Sequence, residues 1–311
     1  MNWILLRTGR ALLTLLLLIG FSFFVLSISG DPALSHLSAD VDASAIDAFR
    51  RKWGLDLPLW QQFFIYVRGL FHGDFGMSYA TGRPALEQIM AGMPVTVSLM
   101  LPTIFAAIGL GLPLGAFAAM RRGSTADRLT ITLSVLALAV PNFLLGLMLM
   151  YVFSVHLGWI EPSGIVDWRS YLMPVATMAL PMAAIFARFT RSAMLEILSH
   201  PMLDTARAGG LQPGRIKRAH VLPNIAVPLV TITALEFGHL FTAAVVAESV
   251  FGWPGTGRLL IDSVASRDFA VVQAILLLTG TTMILANLLA DIAYGAIDPR
   301  VRDQRRRRVK A

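Results

Sequence analysis

The chain has 311 residues, of which 56% are hydrophobic and only 14% charged, against about 25% charged in a soluble domain. That deficit excludes an ordinary soluble enzyme or binding domain and points to a protein of the lipid bilayer. Cysteine is absent, which excludes disulfide frameworks and thiolate metal sites, and the net charge of +7 has to be read by placement rather than by sum.

Apolar runs of about 17–25 residues can cross a bilayer. Six occur, at 11–29, 94–120, 129–156, 172–190, 225–249 and 270–296. The first follows Arg7 and Arg10 as a secretory leader would. Its apolar stretch of about 19 residues exceeds the roughly 7–15 of a leader, and no A-x-A site follows closely, so it reads as an uncleaved anchor. Between the first two spans, segment 30–93 holds two helix-like patches, near 42–53 and 57–71. In the second, Leu59, Phe63, Tyr66, Val67 and Leu70 recur at helical spacing, which suits a helix resting on protein or on the membrane interface. "GDFG" breaks the pattern at Gly73 and Gly76. The segment is either a docking cap for a soluble partner or a lid on the chain's own helices. In the second span, Gly111 and Gly115 form a small-x-x-x-small pair that admits a closely packed helix; packing within the same chain is expected over packing against a second one.

The most polar block of the second half, "DTARAGGLQPGRIKRAHVLPN", runs from Asp204 to Asn224. Pro201 permits a fresh helix start, and Leu203 to Gly209 can form about two turns. Gly210 suits a left-handed C-terminal cap, and Pro213 a first helical position where its missing N–H is no loss. Ile216, Ala219 and His220 can share a face of the second helix, with Pro223 expected to close it. A loop of this kind either packs only on its own chain or presents two short helices to another protein. In the fifth span, Glu236 and His239 are spaced i, i+3 and share a helix face. A charge at the bilayer centre costs about 2.5–3.5 kcal/mol on insertion scales, so this face borders either a polar path or a partner helix.

Lys and Arg number 18 in the N-terminus, 121–128, 188–220 and the C-terminal tail, and 8 in 30–93, 157–171 and 250–269. The positive-inside rule then predicts cytoplasmic termini and a cytoplasmic 204–224 block. The tail "RRRRVK" reads as an anchor beside anionic lipid rather than as a nucleic-acid site. Enzyme motifs fail in detail. "GGLQPGRI" carries Arg215 and Ile216 where a phosphate-binding loop needs Lys and Ser/Thr, and no strand precedes it. "GWPGTG" lacks dinucleotide-loop spacing, no H-E-x-x-H occurs, and the six histidines are scattered. The isolated chain has no visible means of hydrolysing a nucleotide or a peptide.

The 204–224 block resembles the cytoplasmic EAA loop of binding-protein-dependent ABC importer permeases in its dipeptide/oligopeptide/nickel form, which typically reads T-A-R-A-x-G, then a hydrophobic residue, then H-x-L-x-N. Thr205, Ala206, Arg207, Ala208, Gly210, Ile216, His220, Leu222 and Asn224 fit that pattern. "RFTRSAMLEIL" at 188–198, "AESVFGWPGTGRLLIDSVASRDF" at 247–269, "YVRGLFHGDFGMSY" at 66–79 and "IDPRVR" at 297–302 resemble the flanking segments of the subunit with the long first external loop. Gly209 departs from the family's usual Lys or Ala, and Pro223 from its Arg, which puts in doubt a basic residue's role at either position.

The resemblance implies an all-α, six-span, MetI-like type I ABC importer transmembrane domain with a partly helical external segment. In that frame 1–29 is the first membrane helix, 30–93 the external segment, 94–300 the permease domain with its coupling loop at about 191–224, and 301–311 a basic tail. It implies that Asp204, Thr205, Ala206, Arg207, Ala208, Gly210, Ile216, His220 and Leu222 meet an ATPase, with Glu236 and His239 beside the pathway. The implied partners are a second homologous permease, two ATPase subunits that use the ATP, an external solute-binding protein and the lipid membrane; no nucleic acid is implied, and no cofactor is bound by this chain itself. Within that family the solute could be a di- or oligopeptide, a nickel complex, a glutathione-like peptide, or a sugar or opine. Two other classes fit a multi-span chain: a channel or secondary transporter, which would need intramembrane charges and lack a docking loop, and a structural or assembly subunit.

Overall fold

The computed structural model describes residues 2–36 and 42–297, apart from the side chains of residues 2–7, 35, 36, 206, 207, 213, 217, 227 and 289–297. The elements, in order, are α1 (Asn2–Ile28), α2 (Pro32–His36), α3 (Ala43–Trp53), α4 (Leu59–Phe71), α5 (Ala85–Met120), α6 (Thr125–Ala139), α7 (Asn142–Met150), α8 (Leu172–Leu198), α9 (Pro201–Ala208), α10 (Pro213–Ile216), α11 (Leu222–Phe251), α12 (Thr256–Ala265) and α13 (Phe269–Ile297). Among the described residues the only extended pairing is an isolated bridge between Met77 and Pro84. The basic tail at 301–311 and all but the first residue of "IDPRVR" lie outside the described residues.

Five helices, α1, α5, α8, α11 and α13, are long and apolar enough to cross a membrane. The expected continuous span at 129–156 is instead two helices, α6 and α7 with its π-helical end Tyr151–His156, bent by 96°. The break follows from Pro141, whose ring disfavours a helical residue before it. Val140 accordingly turns extended, at φ −86° and ψ 121°, and Pro141 then caps α7. Pro181 and Pro228 sit inside α8 and α11 without ending them. A second boundary moves as well. α5 starts at Ala85, nine residues before the apolar run, so its 36 residues extend about 54 Å, well beyond a hydrocarbon core of about 30 Å.

The chain divides into two compact units, Met1–Val97 with Gly252–Ile284, and Ser98–Phe251 with the residues after Ile284. In the first, α4 rests on α1 through aromatic rings, Phe23 lying 5.3 Å from Phe63 and stacking on Tyr66 at 5.9 Å. The 57–71 patch thus packs on the chain's own first helix, while Trp60, Phe64 and Phe71 on its other side are exposed. Asp31, just after α1, accepts the Ala33 N–H at 2.9 Å and pairs with Arg50 of α3 at 2.6 Å. Residues 76–85 form a tight turn, tied by Ser78 N–H to Arg83 and by Ala85 N–H to Gly76. The Ser78 hydroxyl and the Tyr79 N–H both donate to buried Asp268, which anchors that turn to the start of α13. Gly92 in α5 lets the turn before α12 come close, and Thr96 Oγ1 there accepts the Thr256 N–H at 2.9 Å.

In the second unit α8 is the most enclosed span and packs against α6, α7 and α11. Gly111 and Gly115 carry α5 onto the α8 backbone at Ala183 and Ala187, so this pair packs within the chain, as its spacing led us to expect.

Candidate functional site

The 204–224 block folds as a two-helix hairpin hung between α8 and α11. After Leu198, the His200 ring accepts the Met202 N–H at 3.2 Å and opens α9. Gly209 closes α9 through its N–H to Thr205, at 2.9 Å. Gly210 follows at φ +77°, the left-handed conformation that lets the chain reverse, with open space around it. Gln212 then accepts the Arg215 and Ile216 N–H groups to start α10.

The expected end at Pro223 is not there. α10 passes through a π-helical turn, Lys217–Val221, directly into α11, and Pro223 is the second residue of that helix. Pro223 cannot supply the N–H that a continuous helix would use there, and the π-turn before it takes up the missing bond and the change of register. Asn224 Nδ2 closes the junction by donating to the His220 carbonyl at 2.6 Å.

One apolar cluster holds the hairpin to the membrane helices. Leu203 (0% exposed), Ile216, Val221 and Ile225 pack with Met194 of α8 and Ala119 of α5. This corrects the expectation for Ile216: it is an internal anchor rather than part of an outward surface, because the turn at Gly210 folds α10 back so that its apolar side faces α8. Asp204, Thr205, Ala208, Gly210, Gly214, Arg215, Arg218 and Leu222 are exposed, and His220 is half-buried. The side chains of Ala206 and Arg207 lie outside the described residues.

Beside this hairpin stands an ion pair that the sequence reading did not bring together. Arg191 of α8 reaches Asp127 of α6 through Nε at 2.5 Å and Nη2 at 2.9 Å. The same carboxylate accepts the Gly123 N–H at 2.9 Å, while Ser124 Oγ caps α6 on the Asp127 N–H. Asp127 is 4% exposed and Arg191 23%, so this is a protected bidentate clasp. Only the Ser-x-x-Asp cap was legible locally; its partner lies 64 residues away.

Glu236 and His239 of α11 meet at 3.8 Å but differ in setting, Glu236 at 8% side-chain exposure and His239 at 69%. The shared helix face therefore runs from the interior of the chain to its surface. In the first unit, burial pushes the Tyr66 phenol up to about 12, so its hydroxyl keeps its proton at neutral pH. Among the described residues no group of three or more His, Asp or Glu is placed to hold a metal ion.

Residues 111–303 match the family model described as "Binding-protein-dependent transport system inner membrane component", and residues 1–100 match the model for the N-terminal part of such membrane components. The chain belongs to this family. It is 40% identical over 279 residues to the glutathione transport system permease protein GsiC of Escherichia coli strain K12, covering 90% of this chain and 91% of that one. The GsiC of Salmonella typhimurium is 40% identical over 303 residues, covering 97% and 99%. Among solved structures, a chain of the methionine ABC transporter MetNI in an inward-facing conformation superposes with a TM-score of 0.53 at 18% identity, over 68% of this chain and 97% of that one. The fold is therefore that of the MetI-like type I importer permeases. The protein is a multi-pass permease subunit of an ATP-driven, binding-protein-dependent importer.

Proposed function

We propose that the α9–α10 hairpin is the element through which this permease grips a cytoplasmic ATPase, and that the imported solute is a short peptide of the glutathione class. In this reading both termini and the hairpin face the cytoplasm, in agreement with the concentration of Lys and Arg on those segments. Two ATPase subunits bind and hydrolyse the ATP, a second homologous permease completes the pathway, and an external binding protein delivers the solute; this chain itself binds no cofactor and catalyses no reaction. The peptide class rests on what the GsiC relatives are named for.

One observation carries the proposal. A polar hairpin with an exposed tip at Asp204, Thr205, Ala208, Gly210 and Arg215 is bolted from beneath by Leu203, Ile216 and Val221 to α8 and α5. Burying such side chains contributes about 1.5–3 kcal/mol each. Force applied at the tip is then delivered to membrane helices rather than dissipated in a loose loop. Switching a two-state pathway from 1:99 to 99:1 takes about 5.5 kcal/mol of differential stabilisation, which a rigid connection can transmit. Glu236 and His239 border the pathway that this motion opens.

The test is Gly210→Val. With φ at +77° and no neighbour within 4 Å, the substitution acts through backbone strain alone. The complex should reach the membrane and pair with the second permease. It should either lose its ATPase on purification or hydrolyse ATP without stimulation by the loaded binding protein. Normal ATPase recovery together with normal stimulation would refute the coupling assignment. Glu236→Gln and His239→Ala should alter uptake rate or solute preference; unchanged values for both would remove this pair from the pathway.

A further inference from the structure

α4 shows three different sides. A helix turns about 100° per residue, so Phe63, Tyr66 and Leu70 share one side, and the first two meet α1 there. Gln62, on a second side, lines a cavity with Gly30, Asp31 and Pro32, which lie just beyond the end of α1. The third side is opposite Gln62. It carries Trp60, Phe64, Val67 and Phe71, spaced i, i+4, i+7 and i+11. Trp60, Phe64 and Phe71 are 60%, 64% and 84% exposed. A row of large exposed aromatic rings marks an interaction face.

α1 fixes the level at which this ridge sits. Little of its apolar span, Thr8–Ile28, is buried within the chain, so most of its surface faces lipid. Phe24 is exposed on that outward surface and stacks on Phe63 of α4 at 5.5 Å. Phe23 and Phe24 lie four to five residues before Ile28, which holds α4 about 6–8 Å inside the end of the span. An amphipathic helix of the membrane interface buries its apolar face about 5–10 Å into the boundary between headgroups and acyl chains. The two depths agree. The ridge continues the lipid-facing side of α1 and carries a tryptophan, a residue type enriched at that boundary. Arg68 and His72 are exposed along its edge, where polar ends can reach back to headgroups and water.

We propose that α4 is an interfacial membrane anchor. Trp60, Phe64, Val67 and Phe71 insert among the lipids of the leaflet in which α1 ends, so the occupant of this face is the boundary of headgroups and acyl chains rather than another protein. The 30–93 segment is thereby tied to the bilayer as well as to α1. The anchor rests on α1 as a membrane span and does not depend on the coupling assignment.

The chain has no cysteine, so Trp60→Cys, Phe64→Cys and Phe71→Cys each place a single NBD label on the ridge. Ala80→Cys is the control: Ala80 is exposed in the turn before α5, whose residues 85–93 precede its apolar run by about 13 Å. The intact transporter complex in phosphatidylcholine nanodiscs is quenched with shallow doxyl-labelled phosphatidylcholine and with aqueous iodide, and the complex of the parent chain gives the background from partner cysteines. At the ridge positions emission should shift to the blue, and doxyl lipid should quench more than iodide. At Ala80→Cys the order should reverse. Phe64→Asp keeps Phe63 and Tyr66 on α1 and should lift the ridge, so that the Phe71→Cys label loses its lipid quenching; Phe64→Leu should retain it. Should Phe64→Asp not assemble, the four labelled positions decide alone. Stronger quenching of the ridge by iodide than by doxyl lipid overturns the proposal, because water then covers the face. Quenching by neither also overturns it, because a second permease or another protein then covers the face. Lipid quenching of the Phe71→Cys label that survives Phe64→Asp unchanged, or that is matched at Ala80→Cys, is equally fatal to it.

Discussion

Replacing Gly111 or Gly115 by alanine tests the closest approach in the second unit. A Cβ added at Gly111 would lie 2.5 Å from the Ala183 carbonyl oxygen and 2.6 Å from Phe186 Cβ. At Gly115 it would strike the Ala187 oxygen and lie 2.8 Å from Thr190 Cβ. Comfortable contacts between such atoms begin at about 3.5 Å, so α5 and α8 would have to part by about 1 Å. The obstacles are backbone and Cβ atoms of a buried helix, which no side-chain rotation moves aside. Overpacking of this kind costs about 1–3 kcal/mol at each site, whereas alanine in a helix gains up to about 1 kcal/mol over glycine. Overpacking should win, by about 1–2 kcal/mol for each single variant. The double variant should cost less than the sum, because one displacement relieves both clashes. Gly109 is the internal control: it lies in the same helix with nothing within 4 Å of an added Cβ, so Gly109→Ala should stabilise by up to about 1 kcal/mol. Thermal unfolding of the purified complex, followed by size-exclusion of the surviving fraction, ranks the three. Melting of Gly111→Ala and Gly115→Ala at or above Gly109→Ala would refute the packing account.

Asp127→Ala leaves the Arg191 guanidinium without its bidentate partner and should lower the melting temperature; a thermal double-mutant cycle with Arg191→Ala should show non-additivity, and strictly additive effects would refute the clasp. Leu203→Ala removes a fully buried anchor of the hairpin and should cost about 2–5 kcal/mol locally. Limited proteolysis should then cut between residues 199 and 212 faster than in the parent, and equal cutting would exclude Leu203 as the bolt. Asp268→Ala strands the Ser78 hydroxyl and the Tyr79 N–H at a cost of about 1–3 kcal/mol, which hydrogen exchange should report as lost protection confined to residues 76–85.

Much of this molecule is written in its local sequence. Apolar runs mark the five membrane-length helices found among the described residues, because each span must satisfy its backbone within itself and show an apolar exterior to lipid. Gly210's positive φ and the close packing at Gly111 and Gly115 were legible from residue type and spacing, since a missing side chain favours the first geometry and makes room for the second. Tertiary structure decided what depends on a distant neighbour. Pro141 breaks its helix while Pro181 and Pro223 do not, and a proline's consequence depends on whether surrounding helices and a π-turn take up its missing bond. Ile216 has the same local pattern whether it faces a partner or its own core; the reversal at Gly210, and Met194 waiting beneath it, turned it inward. The Asp127–Arg191 clasp and the Ser78–Asp268 hydrogen bond join residues 64 and 190 positions apart. No periodicity encodes such pairings, because they exist only once the helices have packed and brought the groups within hydrogen-bonding reach.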